Sequence, residues 1–292
     1  MAQEPIMDKS KQYLLGMYEK SLPADLSWQD KLEQCRNAGF DWLEISIDET
    51  EEKLKRLDWN KEERRKLKEL TILNDVPLLT MCLSGHRRYP LGASDPQMQQ
   101  KSLQILEKAI DLAVDLGIRI IQLAGYDVYY QTSTETTRRN FVQNLNTAVQ
   151  MAARKGVVLG FETMETPFMD TVEKAMEYVR LINSPYLGVY PDLGNLTNAS
   201  LLYQTEVKAD LEKGKGHIWA VHLKETRPGI YREVPFGTGH TEYVQNLWQL
   251  KRLGIRMFTG EFWYTPQFPD YPQVCREACS FLRSRLDTVF YD

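Results

Sequence analysis

The chain has 292 residues, of which 42% are hydrophobic and 26% charged, and its net charge is −4. That is the composition of an ordinary soluble globular protein long enough to bury a large core. The negative balance and the lack of a strongly basic stretch argue against a sequence-independent grip on nucleic acid, and no apolar run approaches the roughly 20 residues of a membrane span.

The N-terminal run MAQEPIMDKSKQ is polar and has no apolar signal core. Short apolar runs that fit buried parallel strands then recur eight times: Leu14–Tyr18, Trp42–Ile47, Leu78–Leu83, Ile118–Leu123, Val157–Glu162, Leu187–Tyr190, Ile218–Leu223 and Met257–Phe262. Stretches of helical period separate them, among them Lys61–Asn74, Gln97–Leu116, Thr136–Lys155, Val172–Ile182 and Glu242–Leu253, and the tail from Pro272 to Phe290 reads as a last helix. Eight strand–helix units predict an α/β protein built as a closed (β/α)8 barrel, a TIM barrel, rather than a doubly wound sheet. The first strand runs into Met17-Tyr18-Glu19-Lys20 with no glycine-rich phosphate loop. With no linker, low-complexity segment or longer repeat, residues 1–292 are expected to form a single domain. The cysteines at 35, 82, 275 and 279 show neither disulfide-framework nor zinc-ribbon spacing. They predict reduced thiols in a cytoplasmic protein.

Chemistry in such a barrel gathers at the C-terminal ends of the strands. Glu162 closes the fifth strand, Asp192 follows the sixth, His222 lies near the end of the seventh and Glu261 closes the eighth. Glu162 to Asp192 is 30 residues, Asp192 to His222 is 30, and His222 to Glu261 is 39. A βα unit is about 30 residues, so the four fall at equivalent places in consecutive units. One strand-end acid is ordinarily a helix N-cap or a surface ion pair; four in phase predict one site. Three carboxylates and an imidazole suit one divalent metal ion, Mn2+, Mg2+, Co2+ or Zn2+, and that much negative charge without a cation is costly.

Around this set, Glu165 and Glu225 fall in following loops, Glu44 either enters the barrel mouth or pairs locally, and His217 belongs at the opposite end. His240, after the Gly237-Thr238-Gly239 turn, is a lesser candidate for substrate contact. The loop Ser84-Gly85-His86-Arg87-Arg88 and Lys20 at the end of the first strand offer cations for an anion.

The segments LLGMYEKSLP, MCLSGHRRYPLG, LGFE, YPDLGN, HIWAVHLKETRPG, VPFGTG and GEFW resemble the L-ribulose-5-phosphate 3-epimerases, also called L-xylulose-5-phosphate 3-epimerases, of the xylose-isomerase-like barrel superfamily. The resemblance runs from about Leu14 through Glu261 and into the last helix. It implies a metal on Glu162, Asp192, His222 and Glu261, with Glu162 and Glu261 as the acid/base pair that moves the C3 proton through an enediolate. It further implies a ketopentose phosphate as the partner molecule, L-ascorbate and related pentose utilisation as the setting, and a homodimer. For the phosphate and hydroxyls the candidates are Lys20, Arg87, Arg88, the amides around Gly237 and Gly239, His86, Asn195 and Arg227, with Trp263 and Phe236 as walls. The rivals are a 3-epimerase or aldose–ketose isomerase acting on a free sugar, an apurinic endonuclease, and a non-catalytic sugar-phosphate sensor.

Overall fold

A computed structural model describes residues 11–291; the first ten residues of the polar N-terminal run lie outside them. Eight parallel strands carry the fold: β1 (Leu14–Tyr18), β2 (Trp42–Ile47), β3 (Leu78–Leu83), β4 (Ile120–Ala124), β5 (Val158–Glu162), β6 (Leu187–Val189), β7 (Val221–Leu223) and β8 (Met257–Gly260). Around them run α1 (Trp28–Ala38), α2 (Glu51–Lys55), α3 (Lys61–Leu73), α4 (Pro96–Leu116), α5 (Glu135–Lys155), α6 (Val172–Ile182), α7 (Leu193–Tyr203), α8 (Val207–Lys213), α9 (Tyr243–Arg252) and α10 (Tyr271–Phe290).

The strands pair in the order β6-β5-β4-β3-β2-β1-β8-β7. The seam between β6 and β7 is closed by single bridges, Val189 to Ile218 and Asp192 to His222, with amide bonds of 2.8 Å from Val189 to the His217 carbonyl and 2.9 Å from His222 to the Pro191 carbonyl. His217 thus sits at the N-terminal end of its strand, as expected from the sequence. The predicted sixth, seventh and eighth strands were longer than the observed ones. The sixth and eighth end early, so Asp192 and Glu261 lie just beyond them, whereas the seventh starts late, at Val221, and keeps His222 within it.

Strand residues alternate between two environments. Leu43, Ile45 and Ile47 on β2, Met81 and Leu83 on β3, Leu159 and Phe161 on β5 and Val221 and Leu223 on β7 all belong to the main apolar core. Their neighbours of opposite parity are Glu44 and Ser46, Thr80 and Cys82, Gln122, Glu162, His222 and Lys224, and Thr259 and Glu261, and several of these bond one another across the barrel. Period-two alternation therefore makes a polar barrel interior inside an apolar shell. Burying one such Phe or Leu is worth about 1.5–3 kcal/mol. Trp42 plugs the interior beneath the site, and Gly16 is required there because a Cβ would lie 2.2 Å from the Trp42 ring.

Helix ends follow local chemistry. Ser27 caps α1 and Asp95 caps α4, with Pro96 at its first position, and Gly117 ends α4 at φ +86°. Among the described residues no helix is long and apolar enough to cross a membrane.

Candidate metal centre

Glu162, Asp192, His222 and Glu261 converge at the C-terminal mouth, each presenting one ligand atom so that all four atoms lie within 4.8 Å of one another. His222 Nδ1 is 3.0 Å from Glu261 Oε2 and 3.7 Å from Glu162 Oε1. Asp192 and His222 are 0% exposed, whereas Glu162 (6%) and Glu261 (7%) reach the cleft above.

Asp192 combines the two roles that the sequence held apart. As N-cap of α7 it accepts the Asn195 amide on Oδ1 at 2.6 Å, and its own amide is held by Thr163 Oγ1 at 3.0 Å. Its Oδ2 is buried and has no hydrogen-bond partner. A buried carboxylate oxygen without a donor costs about 1–3 kcal/mol or more, and a cation is the group that would satisfy it. The donor set and this orphaned oxygen fit a hard or borderline divalent ion.

Two further residues, Lys224 and Glu44, complete the electrostatics. Lys224 stands two residues beyond His222, on the same face by strand alternation. Its Nζ lies 3.4 Å from both Asp192 Oδ1 and Glu261 Oε2. Burial works against its charge, but Asp192, Glu261 and Glu162 hold its pKa above the usual lysine value. In the sequence Lys224 reads as part of the loop after His222, and the i+2 spacing from His222 is the signal that places it at the site. Glu44, left open between mouth and surface, is 0% exposed in the barrel interior, with Oε1 2.7 Å from His222 Nε2.

The carboxyls respond unequally. Burial, reinforced by Glu261, pushes Glu162 up. Burial likewise raises Asp192 well above the usual range despite Lys224. Burial would raise Glu261 too, but Lys224 and His222 prevail and hold it low. His222 is raised well above 6.5, with Glu44 and Glu261 overcoming its burial.

The cleft over this cluster has a volume of about 510 Å3 counted to its open mouth. Lys20, Arg87 and Asn195 line it, as does Trp263. Lys20 pairs with Asp48 at 2.6 Å. Arg87 stacks 4.5 Å from the Tyr129 ring, and its buried Nε has no partner. Asn195 Nδ2 donates to the Thr163 carbonyl at 2.7 Å, leaving a buried Oδ1 free. Arg232, Glu165 and Tyr231, not singled out for contact from sequence, form part of the rim, with Arg232 3.2 Å from Glu165.

Other expected contacts lie elsewhere. His86 is buried with Nε2 3.2 Å from the Ser102 carbonyl on α4, and burial lowers its pKa to about 4, so it is a neutral packing residue. Arg88 points outward to Glu51 at 2.7 Å, because the 3-10 turn Ser84–Arg87 sends successive side chains in different directions. Arg227 is exposed and bonds the Thr238 carbonyl and hydroxyl, each at 3.1 Å. The Gly237 amide is taken by Glu225 Oε2 at 2.9 Å, and the same carboxylate accepts the Thr241 amide at 3.0 Å, so Glu225 ties the loop together. Phe236 stacks on Phe281 in a neighbouring apolar groove. His240 lies 3.1 Å from the Thr226 hydroxyl.

Eight parallel strands with this acidic cluster at their C-terminal mouth define the class: the xylose isomerase-like TIM barrel family matches residues 32–285. L-ribulose-5-phosphate 3-epimerase UlaE of Shigella flexneri is 42% identical over 278 residues, 95% of this chain and 96% of that protein. The protein of the same name from Escherichia coli O157:H7 is 45% identical over 245 residues, 84% and 85% of the two chains. The chain belongs to the L-ribulose-5-phosphate 3-epimerase family. In fold it is similar to D-allulose 3-epimerase from Methylomonas sp. solved with D-allulose (TM-score 0.75, 18% identity, 94% of this chain and 98% of that one). It is also similar in fold to the IOLI protein solved with a zinc atom (TM-score 0.75, 18% identity, 96% and 100%).

Proposed function

We propose that this protein interconverts L-ribulose 5-phosphate and L-xylulose 5-phosphate by moving the proton at C3, with one divalent ion held by Glu162, Asp192, His222 and Glu261. The observation that carries the division of labour is exposure: only Glu162 and Glu261 of the four reach the cleft, while Asp192 and His222 are fully buried behind them. C3 lies beside the C2 carbonyl, so its proton is weakly acidic. One glutamate takes that proton from one face, the electron pair moves into the carbonyl to give an enediolate, and the other glutamate returns a proton to the opposite face. The reverse reaction exchanges their roles. A divalent ion at this place supplies positive charge that makes enolisation next to the carbonyl easier. Lys224, which lines the cleft, lies 3.4 Å from Asp192 and Glu261 and offsets their charge. Asn195 offers its free Oδ1 to a sugar hydroxyl, and Lys20 with Arg87 offers cations to the phosphate; His86, Arg88 and Arg227 are not part of this set.

The ion is one of Mn2+, Co2+, Zn2+ or Mg2+, which metal analysis of the purified protein resolves. A homodimer in a reducing cytoplasm belongs to the same reading, and the four buried free cysteines support the reducing compartment. Light scattering checks the dimer. The deciding assay is turnover of L-ribulose 5-phosphate in D2O. Deuterium at C3 with L-xylulose 5-phosphate as product is expected; an aldose phosphate would sink the reading in favour of the isomerase. Faster turnover of the free ketose than of its phosphate would transfer it to a sugar 3-epimerase.

A further inference from the structure

We propose that Glu44 is a positioning residue for the metal centre: it holds the proton of His222 on Nε2 and so aims the Nδ1 lone pair at the three carboxylates. The proposal rests on the reading above that these four residues hold a divalent ion.

An imidazole binds a cation through one bare nitrogen, and the hydrogen bond made by the other nitrogen chooses which. Glu44 Oε1 lies 2.7 Å from Nε2, close enough for a charge-assisted bond, while Nδ1 is the nitrogen that faces Glu261 at 3.0 Å and Glu162 at 3.7 Å. The other polar group near the ring does not compete. Gln122 Nε2 is 3.1 Å from Nδ1 and 3.2 Å from Nε2. The two lone-pair directions of imidazole diverge, so an atom equidistant from both nitrogens lies on neither.

Glu44 is itself fixed as an acceptor. Its Oε2 accepts the Thr80 hydroxyl and the Tyr190 hydroxyl, the latter at 3.1 Å, and Tyr190 is bonded to Thr259 Oγ1 at 2.7 Å. Glu44, Thr80, Tyr190, Thr259 and His222 are each 0% exposed. Partners from β3, β7 and the end of β6 thus converge on one buried carboxylate of β2, with Thr259 of β8 behind Tyr190. A buried charge of this kind is weak evidence for stability, since an apolar side chain often serves as well. Its value lies in the orientation it imposes on His222.

The test is Co2+ binding to the metal-stripped protein, read by visible absorption and by competition with a chromophoric chelator. Glu44→Gln keeps the size but removes the charge that strengthens the bond to Nε2, and its amide presents either a neutral oxygen or an N–H there. Its Co2+ affinity is expected to fall about 10- to 100-fold, with an altered visible band, and excess Co2+ should restore much of kcat. Unchanged affinity and spectrum in a folded Glu44→Gln protein overturn the proposal. If that variant fails to fold, Tyr190→Phe decides: it removes a donor from Glu44 without touching Nε2, a few-fold weaker Co2+ binding is expected, and wild-type binding overturns the proposal. A wild-type protein that binds no Co2+ would overturn the metal reading and this inference together; normal wild-type binding with unaffected variants overturns the positioning role alone.

Discussion

The molecule buries two ionic clusters of opposite balance near the same barrel mouth. At the candidate metal centre, Glu162, Asp192, Glu261 and Glu44 face two partners, His222 and Lys224. Beneath α1 and α2 a single carboxylate, Glu19, meets Lys31 at 3.0 Å, Lys53 at 2.6 Å and Arg56 at 2.7 Å. Every oxygen of Glu19 is saturated, since the Ser46 amide adds a further bond at 2.9 Å. At the candidate metal centre, by contrast, Asp192 Oδ2 and Asn195 Oδ1 are buried without donors. A cluster that closes upon itself is structural, whereas one that leaves buried acceptors open is built for something that arrives later.

That contrast breaks most sharply at Glu162. Glu162→Gln keeps the fold and is expected to lower kcat by about 1,000-fold, measured by product formation; full turnover would remove Glu162 from the proton path. Glu19→Gln should do the converse. It leaves three buried cations against a neutral amide and is expected to destabilise by about 3–5 kcal/mol, read from denaturant unfolding, while the folded fraction retains its kcat.

The same cluster sets an acid limit. Burial opposes the charge of Glu19, but Lys53, Arg56 and Lys31 hold its pKa far below the ordinary glutamate value of 4.5. The unfolded chain therefore binds a proton that the folded one does not, so this stabilisation is present above pH 4.5 and fades as pH falls below it. Melting temperature against pH should drop steeply there in the wild type and less steeply in Glu19→Gln; parallel curves would show that other groups govern the acid limb. Stripping the metal should act on the open cluster only. Activity should vanish and return with added ion, and the loss of stability should be about 2.7 kcal/mol at an ion concentration 100 times Kd, as read by calorimetry with and without chelator. The smallest effect separates two adjacent arginines. Arg87→Ala should raise KM for the phosphorylated substrate by about tenfold, as expected for losing a hydrogen bond to a charged group, while Arg88→Ala leaves kinetics and melting unchanged. Equal effects would place Arg88 in the cleft after all.

Much of the frame was legible in the sequence. The predicted strands β1, β2 and β3 match residue for residue, and helices α3 to α6 and α10 match to within a residue or two, because apolar period and caps are local properties. The ends of β6, β7 and β8 were overestimated, since a run such as Ile218–Leu223 reads as strand whether or not a neighbour completes its ladder. Lys224 reads as loop in the sequence because it lies just past the end of β7, and only its alternation with His222 points it to the site. Arg87 and Arg88 were indistinguishable, and only the turn at Ser84–Arg87 sends one to the cleft and the other to Glu51.

The sequence by itself determined the convergence of Glu162, Asp192, His222 and Glu261. Strand-end phase repeats with the βα unit, and closing the barrel brings equal phases to one place. Only the tertiary structure decided that Glu44 turns inward to His222, that Asp192 both caps α7 and leaves Oδ2 open, and which cations line the cleft. Those choices depend on partners from strands and loops remote in the chain, and no local period encodes them.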